Sequence, residues 1–309
     1  MTEELDQVHA ELTRIPGFEG LQQDDYSVQR LGGLTNLVFR IENGDQRYVL
    51  RIPGKGTEEY IDREVEIHNA HVAARAGVSA EVIHADTATG VMLTRHIDGI
   101  VTMSPQAFAE REGAAARAGR ALRQMHDWPE SFEFRFELFA MIDEYLKILE
   151  ERQAELPEGY HAVVESAQPV RRALDQNPVA LAPCHCDPLC ENFLDDGERM
   201  WIVDWEYSGM NDPLWDLGDV SVEAGFTLEQ DLEMMRAYCG REPEAAEFGR
   251  MVIYKAMCDL LWTLWGLIQH SDGNPAEDFW AYATGRLERC KTLMTAAEFE
   301  RHVQAVAAG

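Results

Sequence analysis

Apolar and polar residues alternate along much of the first hundred positions, and this pattern predicts a small antiparallel sheet. The alternation is clearest over residues 37–41 and 48–52, with an Asn-Gly-Asp turn between them that is typical of a hairpin. A short helix is predicted over about residues 3–14, and a further strand from residue 26 onward. A longer helix is predicted over residues 58–75, followed by two short strands at 82–84 and 91–94.

From Ser104 onward the apolar spacing becomes helical. We expect helices over residues 105–126, 136–152, 158–175 and in several segments from 213 to the end. One interruption, residues 192–204, has two short strands around an Asp-Gly turn. The chain is therefore expected to have an α+β fold of two lobes, a small antiparallel β-sheet N-lobe and a larger, mostly helical C-lobe.

The strongest chemical signal is His185-x-Asp187-x4-Asn192, which has the spacing of the catalytic loop of kinases without its usual Arg. In such a loop the Asp orients an attacking hydroxyl and accepts its proton, while the Asn gives an oxygen to Mg²⁺. Asp204 follows the apolar residues 201–203, and the hairpin should return it to the side of Asn192. Asn192 and Asp204 are thus predicted magnesium ligands, and His185 is given a structural role.

The first lobe should then carry the groups that hold a nucleotide. Gly33 and Asn36 lie in a glycine-containing turn between two predicted strands, where the backbone can approach phosphates closely. Arg51 ends the third strand, at the place where kinases have a Lys that contacts phosphates. In the next helix Glu66 or Glu64 could pair with Arg51, and we prefer Glu66.

Residues 95–99 follow the last strand of the small lobe and are interpreted as the hinge. The backbone of this segment, including Arg95 and Ile97, is expected to receive the adenine edge of ATP. We accordingly predict a nucleotide-binding lobe over residues 1–97 and a helical lobe with the catalytic loop and acceptor pocket over residues 98–309.

The charged and apolar composition of the chain limits the kinds of partner that are expected. The 309 residues include 27 basic and 55 acidic side chains, a formal charge of −28 that repels nucleic acid and anionic membrane surfaces and favours a cationic substrate. The beginning of the sequence is acidic and lacks an apolar core, so a cytoplasmic protein is expected. The apolar residues 251–268 include Lys255 and Asp259, which favours a buried helix over membrane insertion.

Three of the six cysteines, Cys184, Cys186 and Cys190, surround His185. Their spacing differs from the Cys-x2–4-Cys pairs of zinc sites. Reduced thiols in a cytoplasmic protein are therefore preferred to a metal centre.

Four stretches resemble the choline/ethanolamine kinase family, in its bacterial form, within the group of aminoglycoside phosphotransferase-like and protein-kinase-like enzymes: residues 48–54 (YVLRIPG), 185–192 (HCDPLCEN), 203–223 (VDWEYSGMNDPLWDLGDVSVE) and 261–269 (LWTLWGLIQ). The resemblance spans nearly the whole chain. It implies a protein-kinase-like fold and the ATP- and Mg²⁺-dependent phosphorylation of a small alcohol.

By this resemblance Asp187 is the catalytic base, Asn192 and Asp204 bind magnesium, and Arg51 contacts the ATP phosphates. The resemblance also places a set of acidic and aromatic residues around the acceptor, namely Glu206, Tyr207, Glu223, Trp262 and Trp265. Asp259, one helical turn before Trp262, could add negative charge there, and Tyr282 is a further aromatic candidate.

Trp262 and Trp265 are three residues apart and so share one helix face, where aromatic rings can hold a quaternary ammonium group. Taken alone, aromatic residues at this spacing are more often part of a hydrophobic core. Choline is the leading acceptor. Ethanolamine, another amino alcohol, a sugar or an aminoglycoside hydroxyl stay open, as does a catalytically silent kinase-fold binding protein. Because residues 224–226 depart from the animal and plant relatives, the completeness of the aromatic cage is also open, and the oligomeric state is not readable.

Overall fold

The computed structural model describes residues 2–32, 36–54 and 61–309. Helix α1 (Thr2–Leu12) precedes a five-stranded sheet whose strands are β1 (Ser27–Gly32), β2 (Leu37–Asn43), β3 (Gln46–Ile52), β4 (Val82–Ala85) and β5 (Met92–Arg95). The strand order is β1-β2-β3-β5-β4, and all neighbours are antiparallel. The small antiparallel sheet predicted from the sequence is confirmed.

The core of this sheet follows from the period-two alternation. Phe39, Ile41 and Leu50 lie on one face and are almost completely buried, because alternate residues of a strand point to the same side. They form one cluster with Val8 and Leu12 of α1. The short N-terminal helix therefore covers the sheet.

After the sheet the described part of the chain is mostly helical. Its helices are α2 (Arg63–Arg75), between β3 and β4, and then α3 (Pro105–Glu110), α4 (Ala114–His126), α5 (Leu138–Glu151), α6 (Tyr160–Ser166), α7 (Gln168–Gln176), α8 (Leu214–Ala224), α9 (Leu228–Cys239), α10 (Ala245–Ser271), α11 (Phe279–Thr295) and α12 (Phe299–Ala308). Five short strands lie among them, β6 (Val101–Thr102), β7 (Ala182–Cys184), β8 (Phe193–Asp195), β9 (Met200–Ile202) and β10 (Gly209–Asn211). The two-lobed α+β architecture is the one expected.

Several helix boundaries differ from the prediction. The single helix expected over residues 105–126 is two helices, separated at Gly113, whose φ of +73° is left-handed. The helix expected over residues 158–175 is also divided, because Pro169 in the first turn of α7 has no N–H to continue the hydrogen bonds of α6. Helix α2 begins at Arg63, where the Asp62 carboxylate accepts from two backbone N–H groups; residues 55–60 lie outside the described residues.

Helix α2 belongs to the small lobe in sequence, but its buried face packs into the larger core. Ile67, Ala70 and Val72 form part of the apolar cluster of the helical lobe. Just after α2, the carbonyl of Val78 accepts from the N–H of Ile202 at 2.8 Å. The two lobes are therefore joined by α2 as well as by residues 95–99.

Helix α10 is the one described helix that is long and apolar enough to cross a membrane by composition alone. Of its most apolar window, 78% is buried within the protein. It contacts α5, α8, α11 and α12, so it is the central helix of the C-lobe core, as the buried-helix interpretation predicted.

A glycine fixes the distance between α4 and α9. A Cβ atom at Gly119 would lie 2.4 Å from the carbonyl oxygen of Met234. Gly119→Ala is therefore expected to lower the free energy of unfolding by about 1–3 kcal/mol, because the two helices must separate. Gly285→Ala in α11 meets nothing within 4 Å and is expected to be neutral or to stabilise by about 0.5–1 kcal/mol. Urea denaturation of both variants tests this, and equal stability would contradict it.

Candidate active site

The predicted catalytic loop connects β7 to β8, and its last residues, Cys190–Asn192, form a short 3-10 helix. Asp187 is half-buried in this loop. The side-chain amide of Asn192 donates to the backbone carbonyl of Asp187 at 3.1 Å, which fixes the two residues relative to each other. Its amide oxygen remains available as a ligand.

Asp216, at the start of α8, holds the loop from behind. Its fully buried carboxylate accepts from the backbone N–H groups of His185 at 2.7 Å and Cys186 at 2.9 Å. His126 Nε2 lies 3.0 Å from the same carboxylate. Cys186 has a left-handed φ of +67°, a conformation that these bonds enforce. Sequence reasoning missed Asp216, although an acid within the apolar run of residues 214–217 was a detectable signal.

The three thiols near His185 are free and buried. The Cys184 thiol donates to the carbonyl of Asn211 at 3.6 Å, and the Cys186 thiol to the carbonyl of Cys184 at 3.7 Å. Both thiols are thus engaged with the backbone, and the preference for reduced thiols over a metal centre stays a prediction.

The hairpin of β8 and β9 returns the chain to the catalytic loop as predicted. The N–H of Val203 donates to the carbonyl of Asn192 at 2.9 Å, so Asp204 follows directly beside Asn192. Asp204 has a left-handed φ of +68°. Burial, together with the charge of Glu206, raises the pKa of Asp204 above its ordinary value.

A compact cluster of charged side chains joins the sheet of the small lobe to Asp204. Arg51 pairs with Glu66, the residue preferred over Glu64, and donates to Asp204 at 3.1 Å. Arg63, which sequence reasoning missed, lies 2.6 Å from Glu66 and 2.9 Å from Glu206. The negative charges around Arg51 raise its pKa despite the opposing effect of burial, so the guanidinium remains charged.

Glu206 is part of this cluster, and its place near the acceptor stays a prediction. One of its oxygens accepts from Asn36 at 2.9 Å and the other from Arg63. Only 7% of its side chain is exposed. Because both oxygens are occupied by groups of the small lobe, Glu206 is a contact between the lobes.

The hinge residues also differ from expectation. The N–H of Arg95 already donates to the carbonyl of Glu81 at 2.8 Å, and its side chain pairs with Gln46 and Glu81, so Arg95 is not free to receive adenine. Within the described residues, the Ile97 backbone has no hydrogen-bond partner and stays a candidate. Gly33 lies outside the described residues.

A cavity of about 600 Å³ is lined by the end of α2, by residues 95–97 and by Arg199 and Trp201. None of the residues predicted to bind phosphates, magnesium or the acceptor lines it. It is separate from the catalytic loop.

The aromatic residues predicted around the acceptor do come together. The rings of Tyr207 and Trp262 have centroids 5.6 Å apart, and those of Trp262 and Trp265 are 6.3 Å apart. Tyr282 of α11 packs against Trp265 at 5.8 Å, and Phe279 does so at 5.6 Å. These pairs meet edge to face, the usual contact geometry of packed aromatic rings.

The negative charges of the acidic residues near this aromatic cluster are largely offset by arginine side chains. The carboxylate of Glu223 accepts from Arg286 at 2.7 Å and Arg289 at 3.1 Å. Asp259 is completely buried and accepts from the same two arginines, the closest contact being 2.6 Å. Asp259 therefore does not supply a free negative charge, contrary to the prediction, because two guanidinium groups offset two carboxylates.

Asp187 has the electrostatic environment of a base that works near neutrality. Burial raises the pKa of Asp187 to about 7, and the charge of Glu223 adds to this, while Arg286 opposes it. A general base is most effective when its pKa is close to the working pH.

The donor atoms fit a hard divalent cation. Glu66, Asp204 and Glu206 present carboxylate oxygens within 4.8 Å of one another. Arginines and Asn36 bond to the carboxylates of Glu66 and Glu206, whereas 35% of the Asp204 side chain is exposed. Asp204 and the Asn192 amide oxygen are thus the accessible pair, and Mg²⁺ takes oxygen ligands of this kind.

Known proteins are similar to this chain over most of its length. A family model described as "Phosphotransferase enzyme family" matches residues 27–248. The solved structure of a choline/ethanolamine kinase family protein from Mesorhizobium loti is 60% identical, with a TM-score of 0.90 and coverage of 98% of this chain and 99% of that one. Choline kinase LicA from Streptococcus pneumoniae is 26% identical, with a TM-score of 0.73 and coverage of 87% and 94%. Protein LicA of Haemophilus influenzae is 30% identical over 84% of this chain and 98% of its own length.

Proposed function

The chain belongs to the choline/ethanolamine kinase family, within the phosphotransferase enzymes, and is a small-molecule kinase; from this premise we propose that it transfers the terminal phosphate of ATP to the hydroxyl of choline. The observation that carries the choice of acceptor is the aromatic cluster of Tyr207, Trp262, Trp265 and Tyr282. Aromatic rings bind a quaternary ammonium group through their negative faces.

In this proposal Asp187 accepts the proton of the choline hydroxyl, or orients it, while the oxygen attacks the terminal phosphate in line. The Asp216 carboxylate fixes the backbone beside Asp187 by accepting from two N–H groups. The position of the base is therefore set before substrates bind.

Arg51 would contact the ATP phosphates, exchanging its bond to Asp204 for phosphate oxygens, while Glu66 keeps the guanidinium in position. Asn192 and Asp204 would hold magnesium. When bound, the metal offsets negative charge on the phosphate oxygens. For adenine we propose the free backbone of Ile97. We also propose a cytoplasmic location, where ATP is available.

The test of the acceptor is a pair of tryptophan variants. Trp262→Ala is expected to raise the KM for choline about tenfold, because a cation–π contact contributes roughly 0.5–2 kcal/mol, and to raise the KM for ethanolamine much less. Ethanolamine thereby controls for damage to the fold. Trp280→Ala removes a half-buried indole that packs on His270, outside the cluster, and should change neither value.

Steady-state kinetics with both alcohols at saturating ATP and Mg²⁺ measure the effect. An equal rise in KM for choline and ethanolamine would contradict aromatic recognition of the quaternary ammonium group. Trp262→Phe keeps a ring and should recover most of the affinity for choline.

A further inference from the structure

Buried polar atoms without partners gather around the aromatic cluster. Among the described residues, eight buried side-chain nitrogen or oxygen atoms lack a hydrogen-bond partner. Four of them belong to Asp219, Trp262, Trp265 and Arg286. Because buried polar groups are nearly always paired, such a concentration marks a place that a ligand completes.

Asp219 is the acidic member of this group. It lies in α8 and is completely buried. Its Oδ1 accepts only from the thiol of Cys258 at 2.8 Å, and its Oδ2 has no partner. A carboxylate oxygen of Glu223 and the Cys258 sulfur both lie within 4.8 Å of its carboxylate. A thiol is a weak donor, so it stabilises an ionised carboxylate poorly.

The charges that face Asp219 come from four elements. Glu223 is on the same helix, Asp187 is in the catalytic loop and Arg286 is on α11. On α10, the Cys258 thiol donates to Asp219 and Asp259 is the next residue after Cys258, and on α11 Tyr282 carries a hydroxyl whose pKa is raised by burial. Arg286 is bonded to Glu223 and Asp259, so its charge is shared by two other carboxylates, and within the described residues no salt bridge reaches Asp219.

An ionised Asp219 would therefore be a third carboxylate beside Asp187 and Glu223 without a counter-ion. Burial, followed by the charges of Glu223 and Asp187, raises the pKa of Asp219 well above its ordinary value. Burial therefore favours the neutral acid over the carboxylate in the pocket without a ligand. A bound ammonium group reverses this preference, because it provides the missing positive charge.

We infer that Asp219 is a specificity-determining residue that carries a proton in the empty acceptor pocket and gives it up when a cationic acceptor binds. The O–H bond of Asp219 breaks, the proton passes to the solvent buffer, and the carboxylate left behind offsets the ammonium charge. The pocket thus selects acceptors by their positive charge, and the aromatic rings select by shape. The inference rests on the proposed function, since it concerns the same acceptor pocket.

Calorimetric titration of choline at pH 7, in two buffers of different ionisation enthalpy, measures the protons released on binding. The wild-type protein is expected to release up to about one proton more per bound choline than Asp219→Asn, in which Asp187, with a pKa of about 7, can still release part of a proton. Asparagine has the shape of the neutral acid, so this variant should fold. The neutral carbon isostere of choline, 3,3-dimethylbutan-1-ol, should bind more weakly to the wild type and release no proton.

Kinetics give a second readout. The wild-type KM for choline should fall as pH rises, by up to about tenfold per pH unit while Asp219 is protonated, and the KM of Asp219→Asn should not change in this way.

Unchanged proton release in Asp219→Asn would overturn the inference, and so would equal proton release on binding choline and its neutral isostere. Binding of choline without proton release would overturn this inference alone and leave the proposed function in place. Failure of both choline and ethanolamine to bind would overturn the two together.

Discussion

Replacement of Asp187 by asparagine is expected to lower kcat roughly 10³-fold, while the KM for ATP changes little. The amide has the size of the carboxylate but cannot accept the hydroxyl proton. Asn192 bonds to the backbone carbonyl of residue 187 and not to its side chain, so the loop should keep its shape.

The same substitution should stabilise the ligand-free protein. The folded-state pKa of Asp187 is raised to about 7, so the folded state binds a proton more tightly than the unfolded state does. Between the ordinary carboxyl pKa and pH 7 this carboxylate therefore costs stability as pH rises. Asparagine has no such cost, and we expect a gain of about 1–3 kcal/mol at pH 8 and none near pH 4.

Rapid-quench measurement of phosphoryl transfer and thermal unfolding at pH 4.5 and 8 test both parts. Retained turnover would contradict the role of Asp187. A loss of stability at pH 8 would contradict the electrostatic account of the site.

The second large effect is expected at Asp216, whose removal leaves buried donors without an acceptor. Asp216→Ala should lower the free energy of unfolding by about 3–5 kcal/mol, because the N–H groups of His185 and Cys186 and the ring of His126 all lose their partner. Activity of the remaining folded enzyme should also fall, since the loop that holds Asp187 is released.

Urea denaturation followed by tryptophan fluorescence measures the stability change. Asp98→Ala is the matched control: its carboxylate is 63% exposed and pairs with Arg47 at the surface, where solvent screens the pair, so only a small loss of stability is expected. Similar losses in the two variants would show that Asp216 does not anchor the loop.

The catalytic loop and the β8–β9 hairpin were predictable because their geometry is local. The interval between Asn192 and Asp204 is one hairpin, and a hairpin fixes which residues become neighbours. The pairing of Arg51 with Glu66 was predictable for a related reason, since a strand end and the next helix leave few partners. Local spacing thus accounts for Asp187, Asn192 and Asp204.

Other contacts depend on how distant elements pack, which one sequence does not show. Glu206 meets Arg63 across 143 positions, and Asp259 meets Arg289 through the register of α10 against α11. The family resemblance assigned Glu206 to the acceptor pocket, and helical spacing from Trp262 assigned Asp259. The structure shows that each is neutralised by arginine.

The backbone of Arg95 illustrates a further limit. Residue 95 was assigned to the hinge because it follows an apolar strand, but β5 continues through it and its N–H bonds to Glu81. The end of a strand is set by its neighbours in the sheet and not by its own residues alone. Likewise, the boundary between α3 and α4 at Gly113 was not evident from the residues of the predicted helix alone.

The most direct test of the central claim is Mg²⁺-dependent ADP release from ATP with choline, ethanolamine, other amino alcohols and an aminoglycoside, with Asp187→Asn as the inactive control. The account predicts the highest kcat/KM for choline and phosphocholine as the product. A higher kcat/KM for ethanolamine or the aminoglycoside would contradict choline as the acceptor, and turnover that Asp187→Asn retains would contradict the catalytic site itself.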